Sequence, residues 1–104
     1  MTDRELLEAA AKTEGHGVEF DEISGLVFLD SKFTGVLWNP LHNDGDALRL
    51  AVKLQMALTV AKSETHCEGP MHLTAYAYEI HGSDASAATR RAIVRVAAAL
   101  TPNV

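Results

Sequence analysis

Four side chains in the second half of the sequence, His66, Cys67, His72 and His81, are of the types that bind transition metals or pair a thiol with a base. Zinc sites usually draw such ligands in pairs, as Cys-x-x-Cys or His-x-x-x-His, so that one element aims two donors at the same ion. Neither spacing occurs here, and the adjacent pair His66-Cys67 is poorly placed to chelate from a regular element. A zinc site would have to assemble in three dimensions, with Glu64 or Glu68 completing it. Cys67 with His72 or His81 also has the makings of a nucleophile and its base, although no oxyanion element, orienting partner or glycine elbow accompanies them. The plainer reading is loop histidines in solvent and a partly buried thiol. A metal- or thiol-dependent enzyme at this cluster requires convergence of all four side chains on one pocket. Nothing in the sequence implies a cofactor.

The second polar constellation is Asn43-Asp44-Gly45-Asp46. It resembles the start of a calcium-binding EF-hand loop, which needs a bidentate Glu at its twelfth position. Counting from Asp44 gives Gln55 there, across an amphipathic helical stretch. The turn is better read as a helix cap with carboxylates at the positive end of the helix dipole, worth about 1 kcal/mol. Trp38, the sole tryptophan, either caps the core beneath Pro40 or anchors an interface. Tyr76 and Tyr78 admit the same two readings. Arg90, Arg91 and Arg95 form a basic helix face, suited to solvent, to an acidic partner or to the acidic turn of this same chain.

The elements that position these residues follow from periodicity. Thr2 and Glu5 have capping-box spacing, and Leu6, Leu7 and Ala10 form a helical stripe that Gly15 and Gly17 terminate. Val18 and Phe20 alternate with Glu19 and Asp21 as in a half-buried strand. Leu26 to Leu29 reads as a strand buried on both faces, and Gly35 to Trp38 as a third strand, stopped at Asn39-Pro40. Asn43, Asp44 and Asp46 open a second helix with Ala47, Leu50, Ala51 and Leu54 inward. It ends near Leu54-Gln55, where Met56, Leu58 and Val60 begin to alternate. Ser63 to Gly69 reads as a polar loop closed by Pro70. A strand then runs from about Met71 to Ile80, with Tyr76, Tyr78 and Ile80 on one face and Leu73, Ala75 and Ala77 on the other. Asp84 or Ser86 caps a last helix with Ile93, Val96, Ala97 and Leu100 inward, stopped by Pro102. The order α-β-β-β-α-β-β-α predicts an α+β fold: an α/β/α sandwich whose central mixed or antiparallel sheet is covered by three helices.

Three blocks of this order resemble a known family. Asp3-Arg4-Glu5-Leu6-Leu7-Glu8-Ala9-Ala10-Ala11-Lys12 is similar to the opening helix of the phage ABA sandwich domain family. Trp38-Asn39-Pro40-Leu41 with Asp44-Gly45-Asp46-Ala47-Leu48-Arg49-Leu50-Ala51-Val52-Lys53-Leu54 resembles its central signature, and Ala88-Thr89-Arg90-Arg91-Ala92-Ile93-Val94-Arg95 its closing helix. The resemblance implies a small phage or prophage protein with an α/β/α sandwich across residues 1–104. It supplies no activity and no catalytic residue. Residues 18–33 are longer and more apolar than the family pattern, and residues 63–70 read as an insertion.

The bulk numbers narrow the function. At 104 residues the chain makes one domain. Its net charge is −5 and its only basic doublet is Arg90-Arg91, so nucleic acid and anionic membrane surfaces are disfavoured partners. One cysteine excludes an internal disulfide and suits a reducing cytoplasm. The N-terminus lacks the apolar core of a signal peptide, and no apolar run is long enough to span a bilayer. The expectation is a non-enzymatic protein-binding module in the cytoplasm of the bacterial host, taking a host or phage protein. Its candidate contact residues are Trp38, Asp44, Asp46, Tyr76 and Tyr78, with a possible acidic face from Glu19, Asp21, Glu22, Asp44 and Asp46. Self-association through an exposed strand edge or the Tyr76/Tyr78 face is consistent with the small aliphatic core. A structural role in a virion has less support, since nothing in the chain is fibrous or repetitive.

Overall fold

The computed structural model describes residues 1–70 and 75–100. Three α-helices and two small antiparallel sheets form an α+β fold in the order α1 (Asp3–Thr13), β1 (Val18–Phe20), β2 (Val27–Leu29), α2 (Asp44–Lys53), β3 (Ala57–Val60), β4 (Glu64–Glu68), β5 (Tyr76–Ile80) and α3 (Ala85–Ala99). A single 3-10 turn, Lys32–Thr34, follows β2.

Each helix starts where its side chains can satisfy the first free amides. Thr2 accepts from the Glu5 amide while Glu5 bonds back to the Thr2 amide, completing the capping box. Asn43 caps α2 through the Asp46 amide, and Asp84 caps α3 through the Ala87 amide. At the C-terminus of α2, Gln55 takes φ +54°, a left-handed conformation usually given to glycine or asparagine.

Helix α3 is the centre of the molecule. Ala88, Ala92, Ile93, Val94, Val96, Ala97 and Ala98 are all buried, which leaves the helix apolar around most of its circumference. Its small residues let α1, α2 and the β3–β5 sheet all approach. Leu6, Leu7, Ala10, Leu50, Ala51, Cys67 and Ala77 meet it in one core, with Trp38 and Leu41 closing one side. The helices therefore gather on one face of the three-stranded sheet, and the other face presents Tyr76, Tyr78 and Ile80 to solvent.

Three local expectations change. The expected loop at residues 63–69 contains β4, the middle strand of its sheet, paired with both β3 and β5. The expected third strand at Gly35–Trp38 is reduced to one antiparallel bridge, Phe28↔Leu37, flanked by the bonds Leu29 N–Val36 O and Trp38 N–Val27 O. The run Leu26 to Leu29 is not buried on both faces: Val27 is buried, Phe28 and Leu29 are intermediate and Leu26 is exposed. A two-stranded sheet has no second layer to cover that many side chains. Residues 71–74, the start of the expected last strand, and Pro102 lie outside the described residues.

Candidate functional site

Strand β4 sorts the chemistry-bearing residues by parity. Its alternating residues Thr65 and Cys67 turn inward to α3, and Glu64, His66 and Glu68 turn outward. His66 and Cys67 therefore cannot serve one site. Cys67 is fully buried, with its thiol 3.6 Å from the Met56 sulfur. Burial, and then the Glu68 carboxylate, push the thiol up to about 11, opposite to what a nucleophile or a metal thiolate needs. His81 is turned to the inner side, where its Nε2 lies 2.8 Å from Thr65 Oγ1, which in turn lies 2.8 Å from Thr89 Oγ1. This chain gives the buried Thr65 hydroxyl its partners and ties β4, β5 and α3 together. His72 lies outside the described residues. Among the described residues, no group of three His, Cys, Asp or Glu side chains is placed to hold a metal ion.

The acidic turn is built into the scaffold. Asp44 pairs with Arg90 at 2.6 Å, and Arg90 also donates to the Leu41 carbonyl at 2.9 Å. Asp46 accepts from the Asn39 amide at 2.9 Å and pairs with Arg49 at 2.6 Å. Trp38 is only 7% exposed, and Pro40 is buried too. The central signature thus fastens the chain before α2 to α2 itself and to α3. The other two arginines of the basic helix face are engaged within the chain too: Arg91 with Asp3, and Arg95 with Glu79 and the Tyr78 carbonyl. The other carboxylates of the expected acidic face also have internal partners, Glu19 at the Lys32 amide, Asp21 at Ser24 and Glu22 at Arg4.

What the structure does bring together is the outer face of β3–β5. The register places Tyr78 beside His66, Tyr76 beside Glu68, and Ile80 beside Glu64. His66 is wedged edge-on between the two tyrosines, with ring centroids 6.0 Å from Tyr76 and 5.0 Å from Tyr78. Its Nδ1 lies 2.6 Å from the Tyr76 hydroxyl, and its Nε2 3.5 Å from the Glu64 carboxylate. Hydrogen bonds from Tyr78 and then His66 hold the Glu64 carboxyl below its ordinary value, and the same bond to Glu64 pushes the Tyr78 phenol up. Tyr76, Tyr78 and Ile80 remain 52%, 41% and 69% exposed. The result is an ordered aromatic and acidic plane, not a pocket that shields a reacting group from water. It suits recognition: the rings offer apolar area with little conformational freedom to lose, and their hydroxyls are already held by His66 and Glu64. Tyr76 and Tyr78 were readable as candidates from strand parity; His66, Glu64 and Ile80 join them only once β4 and its register are known.

No helix among the described residues is long and apolar enough to cross a membrane. No protein-family model, curated protein or solved structure matches the chain.

Proposed function

We propose that this chain is a non-enzymatic protein-binding module, an accessory protein of a phage or prophage acting in the cytoplasm of a bacterial host, as the resemblance to the phage ABA sandwich family suggests. The observation that supports the binding role is the solvent-facing plane of Tyr76, Tyr78 and Ile80, held rigid around His66. Glu64 and Glu68 share that plane, and the chain carries a net charge of −5. A basic partner fits both features, since lysine or arginine can meet the carboxylates and stack on the tyrosine faces. Trp38, Asp44 and Asp46 serve this reading as scaffold, keeping α2 and α3 in place behind the sheet.

The test is affinity capture from lysate of the phage-bearing host, comparing the wild type with a folded Tyr76→Ala/Tyr78→Ala variant. The reading predicts one stoichiometric partner, basic in composition, that the double variant loses and an Asp44→Asn variant keeps. Recovery of the same partner by both variants would remove this face from the function.

A further inference from the structure

The two edges of the three-stranded sheet are treated differently. Along β5, Arg95 of α3 donates to the Tyr78 carbonyl and pairs with Glu79, so a charged side chain occupies that edge. Charge on an edge is a common guard against further strand pairing. Along β3, all four residues are exposed and none is charged, and the uncharged stretch extends from Leu54 to Ala61.

The hydrogen-bond phase fixes what the β3 edge offers. The Ala61 amide donates to Glu64, so Ala61, Thr59 and Ala57 are the residues bonded to β4. The amides and carbonyls of Leu58 and Val60 must therefore point away, to the open edge. Their side chains lie on the inner face, where Leu58 and Val60 border an apolar groove of about 350 Å³ with Leu48 and Ile93 on its walls and Asp44 and Arg90 at its rim.

We propose that the β3 edge binds a second copy of this chain, antiparallel about a twofold axis through Thr59, making one six-stranded sheet. In that register Leu58 of each copy stands opposite Val60 of the other. Both are residues whose free amides and carbonyls face outward, so four hydrogen bonds close across the seam. Apolar side chains meet apolar side chains on the inner face, beside the groove of each copy, and the two Thr59 side chains meet on the outer face. Moving the axis to Leu58 would instead place Val60 opposite Met56 and offset the two apolar pairs.

The charges agree. Two chains each carrying −5 repel generally, but the seam itself is neutral. The Thr59-centred register sets Ala57 opposite Ala61 of the other copy.

Sedimentation velocity of the full chain, with cysteine cross-linking, tests the arrangement. The proposal expects the mass of two chains at tens of micromolar. Thr59→Cys should cross-link to itself under mild oxidation. Ala57→Cys should cross-link with Ala61→Cys in a mixture but with neither alone. Val60→Lys, with an unchanged circular dichroism spectrum, should sediment as one chain. The Tyr76→Ala/Tyr78→Ala variant should stay a dimer, which separates this result from the fate of the partner-binding face. A single-chain mass at high protein concentration would overturn the proposal, as would a dimer that tolerates Val60→Lys and gives no Thr59→Cys cross-link.

Discussion

His66 and Cys67 are sequence neighbours that face opposite sides of β4: His66 stands half-buried between two tyrosines on the outer face, and Cys67 is sealed against Met56 in the core. That separation splits the apparent metal and thiol cluster into a surface group and a core group, and each makes its own prediction.

Cys67 should be inert in the native protein. A thiol at about 11 instead of its ordinary 9.0 holds roughly a hundredth as much thiolate at pH 8, and burial blocks access besides. Labelling with an aromatic disulfide reagent at pH 8 should proceed only as the protein unfolds, and at once in denaturant. The same displacement has a stability consequence. The unfolded state releases the thiol proton near pH 9 and the native state does not, so stability falls as pH rises from about 9 toward 11. Thermal melts of the wild type and Cys67→Ala across that range should converge in slope only if another group is responsible.

Thr65 should be the most sensitive polar position. It is fully buried, and its hydroxyl links His81 and Thr89. Thr65→Val removes that link and leaves both partners without it, at a cost of about 1–3 kcal/mol. Thr65→Ser keeps the hydroxyl and should cost less. Urea denaturation of the two variants gives the comparison.

The central signature should behave as structure. Asn43→Ala removes the cap of α2 and should cost about 1 kcal/mol. Arg90→Ala removes both the Leu41 carbonyl contact and the Asp44 pair, so it should destabilise more than Asp44→Asn, which leaves Arg90 on the carbonyl. Equal effects of the two substitutions in chemical denaturation would contradict this division of roles.

Acid should loosen the molecule in a defined window. Glu5, Asp21, Asp30 and Glu64 all have carboxyls held below their ordinary values, Glu5 by the Thr2 amide and hydroxyl, Asp21 by Ser24 and the Ile23 amide, Asp30 by the Gly17 amide and His16, and Glu64 by Tyr78 and His66. Lowered carboxyls stabilise the fold above their unfolded values of 3.8 to 4.5, and that contribution disappears as pH falls through the lower native values. The Tm should therefore decline as pH falls below about 4. Glu64→Gln should flatten part of that decline.

Much of the fold was legible in the sequence because caps and stripes are local. Thr2 with Glu5, Asn43 and Asp84 each announce a helix start, and Leu50, Ala51, Ile93, Val96 and Ala97 sit where their 3.6-residue spacing requires. Strand β4 was missed for a physical reason. Its inward residues are Thr65 and Cys67, neither strongly apolar, and its outward residues are charged or aromatic-ring polar, so Glu-Thr-His-Cys-Glu has the alternation of a strand without the hydrophobic contrast. Its pairing with β3 and β5 supplies what propensity does not. The candidate site depends on that strand, and so Tyr76 and Tyr78 could be paired on a face while their contact with His66 and Glu64 could not. The Gly35–Trp38 segment erred the other way: its apolar run reflects Trp38 entering the core and Val36 and Leu37 lying exposed, not a continuous strand.

The most direct measurement is backbone and side-chain NMR of the isotope-labelled protein during titration with the captured partner. Shifts are expected at His66, Tyr76, Tyr78 and Ile80, with saturation lost in the Tyr76→Ala/Tyr78→Ala variant. Shifts confined to α1, α2 and the Trp38–Asp46 turn, with the outer sheet face unmoved, would contradict it.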